Sequence, residues 1–210
     1  MRSTSSVLVS TATAGLFVAA AALSVPAAQA RDVNEPRSGT AFADRSGDMS
    51  LLGVGLRTRT FLKVKVYAVG LYVADAALAG PLAAHKGKTT SPAFYRDLVT
   101  GDFPKQVTMK FLRAVSTDQI RDAFRESLAG ADKARLETFL GNFGDTKAGD
   151  EYVIRWTPGV GLETTVAGQS KPAIDDKPFA AAVFAIWLGD KPVQEDIKKD
   201  LVVRAEGLLK

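Results

Sequence analysis

Cysteine is absent from this chain of 210 residues, and histidine occurs once, as His85. The absence of cysteine excludes disulfides, thiolate zinc sites, iron–sulfur clusters and cysteine nucleophiles. A single histidine excludes multi-histidine metal sites and leaves little from which to build a catalytic triad. We therefore expect no cofactor. His85 stands in a polar stretch with Lys86 and Lys88, which is more typical of a solvated loop than of a catalytic base.

A strong excess of one charge is also missing. The chain has 27 Lys and Arg against 23 Asp and Glu, a net charge of +4. The charges are scattered along the chain, which favours a solvated mixed surface, and we expect no nucleic-acid partner. With 46% hydrophobic and 24% charged residues, the composition is that of a globular protein and excludes wholesale disorder, collagen and coiled coil.

Charged residues are scarce in the first thirty positions, where only Arg2 carries a charge. An apolar run over residues 15–25 follows, and the segment closes on Ala28-Gln29-Ala30. This order is typical of a secretory signal peptide, so we predict cleavage after Ala30 and a periplasmic or secreted protein. The apolar run is shorter than the roughly 20 residues that a transmembrane helix needs. No transmembrane segment is therefore expected after cleavage.

The remaining chain is interpreted as a flexible, polar lead-in over residues 31–48, with room for one edge strand, and one domain over residues 49–210. Alternating apolar residues predict strands over residues 49–59, 62–73, 106–112, 151–157, 162–167 and 171–174. Apolar residues at helical spacing predict helices over residues 91–100, 116–128, 132–140, 177–188 and 192–209. Because the strands follow one another closely, the sheet should be largely antiparallel with helices on one face, which is an α+β fold.

Four blocks of the sequence, in this order, resemble the chalcone isomerase superfamily. They are LLGVGLRTRTFLKVKVYAVGLYV (Leu51–Val73), YRDLVTGDFPKQVTMKFLRAVSTDQIRDAF (Tyr95–Phe124), FGDTKAGDEYVIRWTPGVGLETTVAGQ (Phe143–Gln169) and FAAAVFAIWLGDKPV (Phe179–Val193). They span most of residues 50–203 and match the bacterial, often secreted, chalcone isomerase-like branch better than the plant enzymes. The resemblance implies an open-faced β-sandwich, in which a large antiparallel sheet is covered on one face by helices. It also implies a ligand cleft between sheet and helices.

The resemblance implies positions for the catalytic residues of the true isomerases. The family's arginine falls on Arg57, and its second-strand threonine falls on Tyr67. The helix tyrosine, lysine and asparagine of the family fall near Ile120, Ala123 and Ser127. Residues 116–128 contain no Tyr, Lys or Asn, so we do not expect chalcone cyclisation.

What remains resembles the non-catalytic, fatty-acid-binding members of the superfamily, in which an arginine and a tyrosine hold a carboxylate. Here these residues would be Arg57 and Tyr67, since a guanidinium fork suits a carboxylate and a phenol adds one hydrogen bond. The cleft walls would come from Val69, Leu71, Phe111, Ile120, Phe124 and Phe184. The main prediction is therefore a non-catalytic protein that binds a fatty acid or a similar amphipathic carboxylate.

Two alternatives stay open. The chain could be an isomerase or intramolecular lyase acting on an unknown small molecule, with Arg57 as the partner of an oxyanion. It could instead be a structural or partner-binding protein whose cleft is filled by its own side chains, although the sequence identifies no protein partner. Trp156 and Trp187 are expected in the core. An apolar cavity beside Arg57 would separate the filled-cleft alternative from the other two hypotheses.

Overall fold

The computed structural model describes residues 31–210, so the predicted signal peptide lies outside the described residues. The segment 31–48 is not the flexible lead-in that its polar composition predicts. It contains β1 (Asp32–Asn34) and β2 (Ala41–Ala43), which pair into an antiparallel hairpin. Phe42 of this hairpin is 1% exposed, and its ring covers Gly70 so closely that a Cβ there would lie 2.8 Å from it. One buried aromatic side chain therefore attaches the hairpin to the sheet.

The loop of this hairpin is built around a buried carboxylate. Glu35 is fully buried, and its carboxylate accepts hydrogen bonds from Ser38 Oγ at 2.7 Å and Arg37 Nε at 2.9 Å. Burial would raise the pKa of Glu35, but the hydrogen bonds from Ser38 and Arg37 outweigh it and lower the pKa. Arg37 also contacts Asp200 at 2.6 Å, which ties the loop to the C-terminal part of the chain.

Seven further strands form one antiparallel sheet, in sequence order. They are β3 (Arg45–Ser46), β4 (Met49–Arg59), β5 (Val64–Ala74), β6 (Lys105–Phe111), β7 (Glu151–Thr157), β8 (Gly161–Val166) and β9 (Gln169–Ile174). Each strand pairs antiparallel with its neighbour in sequence. Tight turns join β4 to β5, β7 to β8 and β8 to β9, whereas helices lie in the connections from β5 to β6 and from β6 to β7. The long strands β4 and β5 carry the alternation that predicted them.

The helices are α1 (Asp75–Ala79), α2 (Pro92–Thr100), α3 (Thr117–Ser127), α4 (Lys133–Leu140), α5 (Lys177–Leu188), α6 (Glu195–Asp200) and α7 (Ala205–Leu208). Three of the helices begin at a capped residue: the side chains of Ser91, Ser116 and Asp176 each accept a backbone N–H three residues on. The prediction of an α+β fold with helices against an antiparallel sheet is confirmed. None of the helices in residues 31–210 is long and apolar enough to cross a membrane.

The C-terminal helix predicted over residues 192–209 is interrupted. Residues 201–204 form a turn between α6 and α7, and the Arg204 backbone N–H donates to the Leu52 carbonyl of β4 at 2.9 Å. The first part packs on β4 at Gly53, where a Cβ would lie 2.1 Å from the Asp200 carbonyl oxygen. The hydrogen bond to the bulged strand β4 thus competes with continuation of the helix. The local periodicity of the sequence does not reveal this competition.

His85 does not lie in a solvated loop. Its Nε2 is 2.7 Å from the Asp97 carboxylate, and its ring packs on Phe94 with the ring centroids 5.4 Å apart. The histidine therefore joins a single 3-10 turn, Ala83–His85, to α2. Its neighbours in sequence are charged, but the contact that orders it comes from twelve residues further along.

Candidate functional site

A cavity of about 470 Å³ lies between the sheet and α3, at the end of the sheet where β4 turns into β5. It is lined mostly by apolar side chains from β5, β6, α3 and the end of α5. The lining residues are Arg57, Arg59, Thr60, Val64, Val66, Tyr67, Met109, Phe111, Arg113, Ala114, Val115, Gln119, Ile120, Ala123, Phe124, Ser127, Ile186, Trp187 and Val193. The side chains of residues 31–210 leave this cleft open, which contradicts the filled-cleft alternative.

Arg57 and Tyr67 meet at the polar end of this cavity. They are direct partners in the β4–β5 register and therefore share one face of the sheet. The same face of β4 carries Gly53 and Gly55. In the structure α6 covers it: a Cβ at Gly55 would lie 3.4 Å from Ile197. Arg57 is consequently half-buried rather than exposed.

The Arg57 side chain is held at a β-bulge. The pairing of β4 with β5 shifts register between Arg57 and Thr58, and Arg57 Nη1 donates to the Thr58 carbonyl at 2.8 Å. Burial lowers the pKa of Arg57, and the distant charge of Glu126 on α3 partly opposes this. An arginine keeps its charge at neutral pH even so. The site therefore presents a fixed cation inside an apolar cavity.

Gln194 positions this cation, and sequence reasoning missed it. Its Oε1 accepts the Thr58 backbone N–H at 3.2 Å and lies 3.4 Å from Arg57 Nη1. Its Nε2 donates to the Leu56 carbonyl at 3.3 Å. The Gln194 amide thus provides hydrogen-bond partners for backbone groups at the β-bulge. Gln194 lies 137 residues from Arg57 in sequence, so no local pattern connects the two.

Tyr67 is oriented by Trp187 from the end of α5. Trp187 Nε1 donates to Tyr67 Oη at 3.2 Å, and the Tyr67 ring lies 5.7 Å from the ring of Phe111. Burial raises the pKa of Tyr67, so the phenol stays protonated at neutral pH. No group within residues 31–210 accepts its hydroxyl proton, which is free to donate to a ligand. Trp187 is 1% exposed, as a core residue should be, and it lines the cavity as well.

Five of the eight site residues predicted from sequence line this cavity: Arg57, Tyr67, Phe111, Ile120 and Phe124. The other three, predicted as cleft walls, do not.

Val69, Leu71 and Phe184 are fully buried in the core, away from the cavity. Phe184 packs near Lys105, which pairs with Val73 at the end of β5 opposite to Tyr67. Alternation shows which residues of β5 are buried, but it does not show that the cavity ends near Tyr67 and that packed core follows.

Two more arginines stand at the mouth of the cavity. Arg59 and Arg113 are both exposed and both line it. Sequence reasoning singled out Arg57 and did not predict Arg113 as a site residue. Among the described residues that line the cavity there is no Asp, Glu, His or Lys, so no carboxylate, imidazole or amine stands there as a general acid or base. Three guanidinium groups thus lie at one end of a mostly apolar cavity, a combination of positive charge and apolar wall that suits an amphipathic anion.

The cavity offers few ligands for a metal ion. Within residues 31–210 no three Asp, Glu or His side chains lie close enough together to hold a metal ion. The lining residues contribute hydroxyl, phenol and amide groups singly rather than as a cluster. The chemistry that the cavity supports is hydrogen bonding to an anionic group and burial of an apolar one.

Comparison with known proteins assigns the chain to a family. A profile described as chalcone isomerase-like matches residues 29–202. The chain is 28% identical over 204 residues to fatty-acid-binding protein 2 of Arabidopsis thaliana, an alignment that covers 84% of this chain and 51% of that protein. The chain thus spans about half the length of that relative. It is 25% identical to a chalcone–flavanone isomerase of Phaseolus vulgaris, over 70% of this chain and 76% of the enzyme.

The fold has a solved counterpart. A crystal structure of a fatty-acid binding protein of Arabidopsis thaliana superposes with a TM-score of 0.74 at 19% identity, covering 85% of this chain and 98% of that one. At this identity the likeness concerns the fold.

Proposed function

Because the chain belongs to the chalcone isomerase-like family, we propose that its cavity binds a fatty acid or a similar amphipathic carboxylate and catalyses no isomerisation. The observation that carries the proposal is the pair Arg57 and Tyr67 at one end of an otherwise apolar cavity. Two of the matched proteins are named as fatty-acid binding proteins, which supports the same ligand class here.

The head group of such a ligand is recognised by donors that the protein leaves available. Arg57 Nη1 is engaged by the Thr58 carbonyl and by Gln194. The other N–H groups of the guanidinium can bind a carboxylate. Tyr67 supplies one further O–H donor from the opposite strand. A hydrogen bond to a charged group contributes roughly 1.5–3 kcal/mol, so loss of Arg57 should weaken carboxylate binding by about 10- to 100-fold.

The tail of the ligand is recognised by burial. The cavity volume of about 470 Å³ lies within the usual range for small-molecule sites, roughly 300–1,000 Å³. Met109, Phe111, Ile120 and Phe124 provide apolar wall. Each methylene that enters such a wall gains about 0.8 kcal/mol, roughly fourfold in affinity.

The experiment compares lauric acid with 1-dodecanol, which has the same chain without a carboxylate. Binding to the delipidated protein is measured by displacement of a fluorescent fatty acid. We expect laurate to bind about tenfold tighter than dodecanol or better, and Arg57→Ala to remove this difference while dodecanol binding stays the same. Arg155→Ala is the matched control, since Arg155 is a half-buried strand arginine outside the cavity.

Two results would contradict the proposal. Equal affinity for laurate and dodecanol in the unmodified protein would show that no carboxylate is recognised, whatever the fate of the Arg57 variant. Failure of both ligands to bind would show that the cavity does not accept such an amphipathic chain.

The protein's location is a second part of the proposal. The segment 1–30, with its apolar run and Ala28-Gln29-Ala30, supports export to the periplasm or the outside of the cell. The full chain is expressed in a Gram-negative bacterium, and the N-terminus of the periplasmic product is sequenced. A mature chain that begins at Arg31 is expected. A product that retains residues 1–30 in the cytoplasm would refute export.

A further inference from the structure

Two bulky apolar side chains protrude from the turn between β4 and β5. Phe61 is 91% exposed and Leu62 is 71% exposed. Only two other large apolar residues within residues 31–210 are comparably exposed, and neither adjoins another such residue. We call residues 60–63 the tip. A neighbouring pair of exposed apolar side chains is unusual on a surface and indicates contact with something apolar.

The conformation of the tip keeps these two side chains in solvent. Thr60 and Lys63 both adopt left-handed backbone angles, with φ of 65° and 51°, and the Lys63 N–H donates to the Thr60 carbonyl at 3.1 Å. Such angles favour glycine or asparagine, and threonine and lysine adopt them at a cost. The turn is therefore closed on itself, with Phe61 and Leu62 at its outermost point.

The surroundings of the tip are positively charged. Between Asp48 and Asp75 the chain has no acidic residue and four basic ones, Arg57, Arg59, Lys63 and Lys65. Arg113 adds a fifth from the other side of the cavity mouth. The Lys65 amine is engaged by the Arg37 carbonyl, and the Glu126 carboxylate on α3 acts on Arg57 from a distance. Arg59, Lys63 and Arg113 are all exposed and form no ion pair with residues 31–210.

We propose that the tip docks the protein on an anionic lipid bilayer. Phe61 and Leu62 insert among the acyl chains, and the side chains of Arg59, Lys63 and Arg113 contact the headgroups. Apolar side chains ringed by cations match a surface that is apolar inside and anionic outside. A protein partner would need a larger patch, since a stable interface buries about 800 Å² on each side, and two side chains offer far less.

The docked orientation has a consequence for the cavity. Arg59, Thr60 and Val64 flank or belong to the tip and also line the cavity mouth. Insertion of Phe61 and Leu62 therefore brings the mouth to the headgroup region of the bilayer. An amphipathic molecule could then pass between bilayer and cavity without crossing water. This inference goes beyond fatty-acid binding and does not depend on it.

The test is flotation with lipid vesicles. The protein is mixed with vesicles of phosphatidylcholine, with or without phosphatidylglycerol, and the floated fraction is measured over lipid concentration. We expect binding to vesicles that contain phosphatidylglycerol and weak binding to phosphatidylcholine alone. The double variant Phe61→Ser, Leu62→Ser should lose roughly tenfold or more in partitioning. Added salt and Lys63→Gln should weaken binding of the unmodified tip.

Val160→Ser is the matched control. Val160 is 50% exposed at the turn between β7 and β8. The strand register places that turn at the end of the sheet opposite to the tip. The Val160→Ser variant should float like the unmodified protein. Because all four substituted side chains are exposed, circular dichroism should show the same folded state and melting temperature for each variant.

Three outcomes would overturn the proposal. The unmodified protein could fail to float with anionic vesicles, or the double variant could float equally well. Sedimentation velocity could also show a dimer that the double variant lacks, which would make the tip a protein interface. Laurate displacement in solution, measured on the same variants, separates this proposal from the previous one. Failure of docking leaves laurate binding intact, and failure of laurate binding leaves flotation intact.

Discussion

A buried lysine should make the stability of this protein depend on pH in the alkaline range. Lys105 is 2% exposed, and its amine donates to the carbonyls of Leu98 and Val99 at 2.8 and 2.7 Å and of Gly101 at 3.0 Å. The amine also lies 5.1 Å from the centre of the Phe184 ring. These contacts cap the C-terminus of α2. Burial nevertheless lowers the pKa of Lys105 to about 7.

The sign and size of the effect follow from proton counting. In the unfolded chain a lysine titrates near ~10.4, so between about pH 7 and pH 10 the unfolded state binds one more proton than the folded state. The free energy of unfolding then rises with pH by up to ~1.4 kcal/mol per pH unit. Between about pH 7.5 and pH 9.5 this gives about 2–3 kcal/mol. Above that window the effect reverses, because burial raises the pKa of Tyr72 and of Tyr152 to about 12.

Urea unfolding followed by circular dichroism measures this slope. We compare the unmodified protein with Lys105→Met, which keeps the apolar stem and removes the amine. The variant should be less stable, since three carbonyls lose a donor, and it should lack the rise with pH. The same pH dependence in both proteins would refute this prediction. It would mean that the carbonyls and aromatic rings stabilise the charged amine enough to offset its burial.

Three further predictions concern the cavity and its support. Affinity for saturated fatty acids should rise roughly fourfold per methylene until the cavity is full and then level off; displacement assays over a chain-length series check this, and a flat series would contradict burial of the tail. Tyr67→Phe should lower laurate affinity roughly threefold to tenfold without changing dodecanol affinity, and an equal loss for both would mean that the phenol only shapes the wall. Gly53→Ala should destabilise the fold by about 3 kcal/mol, because a Cβ there would lie 2.1 Å from the Asp200 carbonyl oxygen. The matched variant Gly55→Ala, with 3.4 Å to Ile197, should cost less in thermal melts, and equal costs would refute the close approach.

Local pattern was sufficient for the main elements of the sheet and for the helix starts. β4 spans Met49–Arg59 as its alternation predicts, and Ser91 and Asp176 cap the helices that follow them. In each case the cause lies within a few residues of the effect. The identity of the fold needed more, because an α+β pattern fits many topologies and the resemblance to a family selected one.

The errors all concern contacts between distant segments. Phe42 lies in a largely polar stretch, and nothing near it in sequence indicates that its ring packs on Gly70. Val69 was buried as predicted but lies beyond the end of the cavity. Gln194, which holds the bulge beside Arg57, carries no motif at all.

A crystal structure of the protein with laurate bound would test the proposed binding mode directly. We expect the carboxylate within hydrogen-bonding distance of both the Arg57 guanidinium and the Tyr67 hydroxyl. We also expect the alkyl chain to run between β6 and α3 against Phe111 and Phe124. A carboxylate held elsewhere, with Arg57 still bonded only to Thr58 and Gln194, would contradict this binding mode.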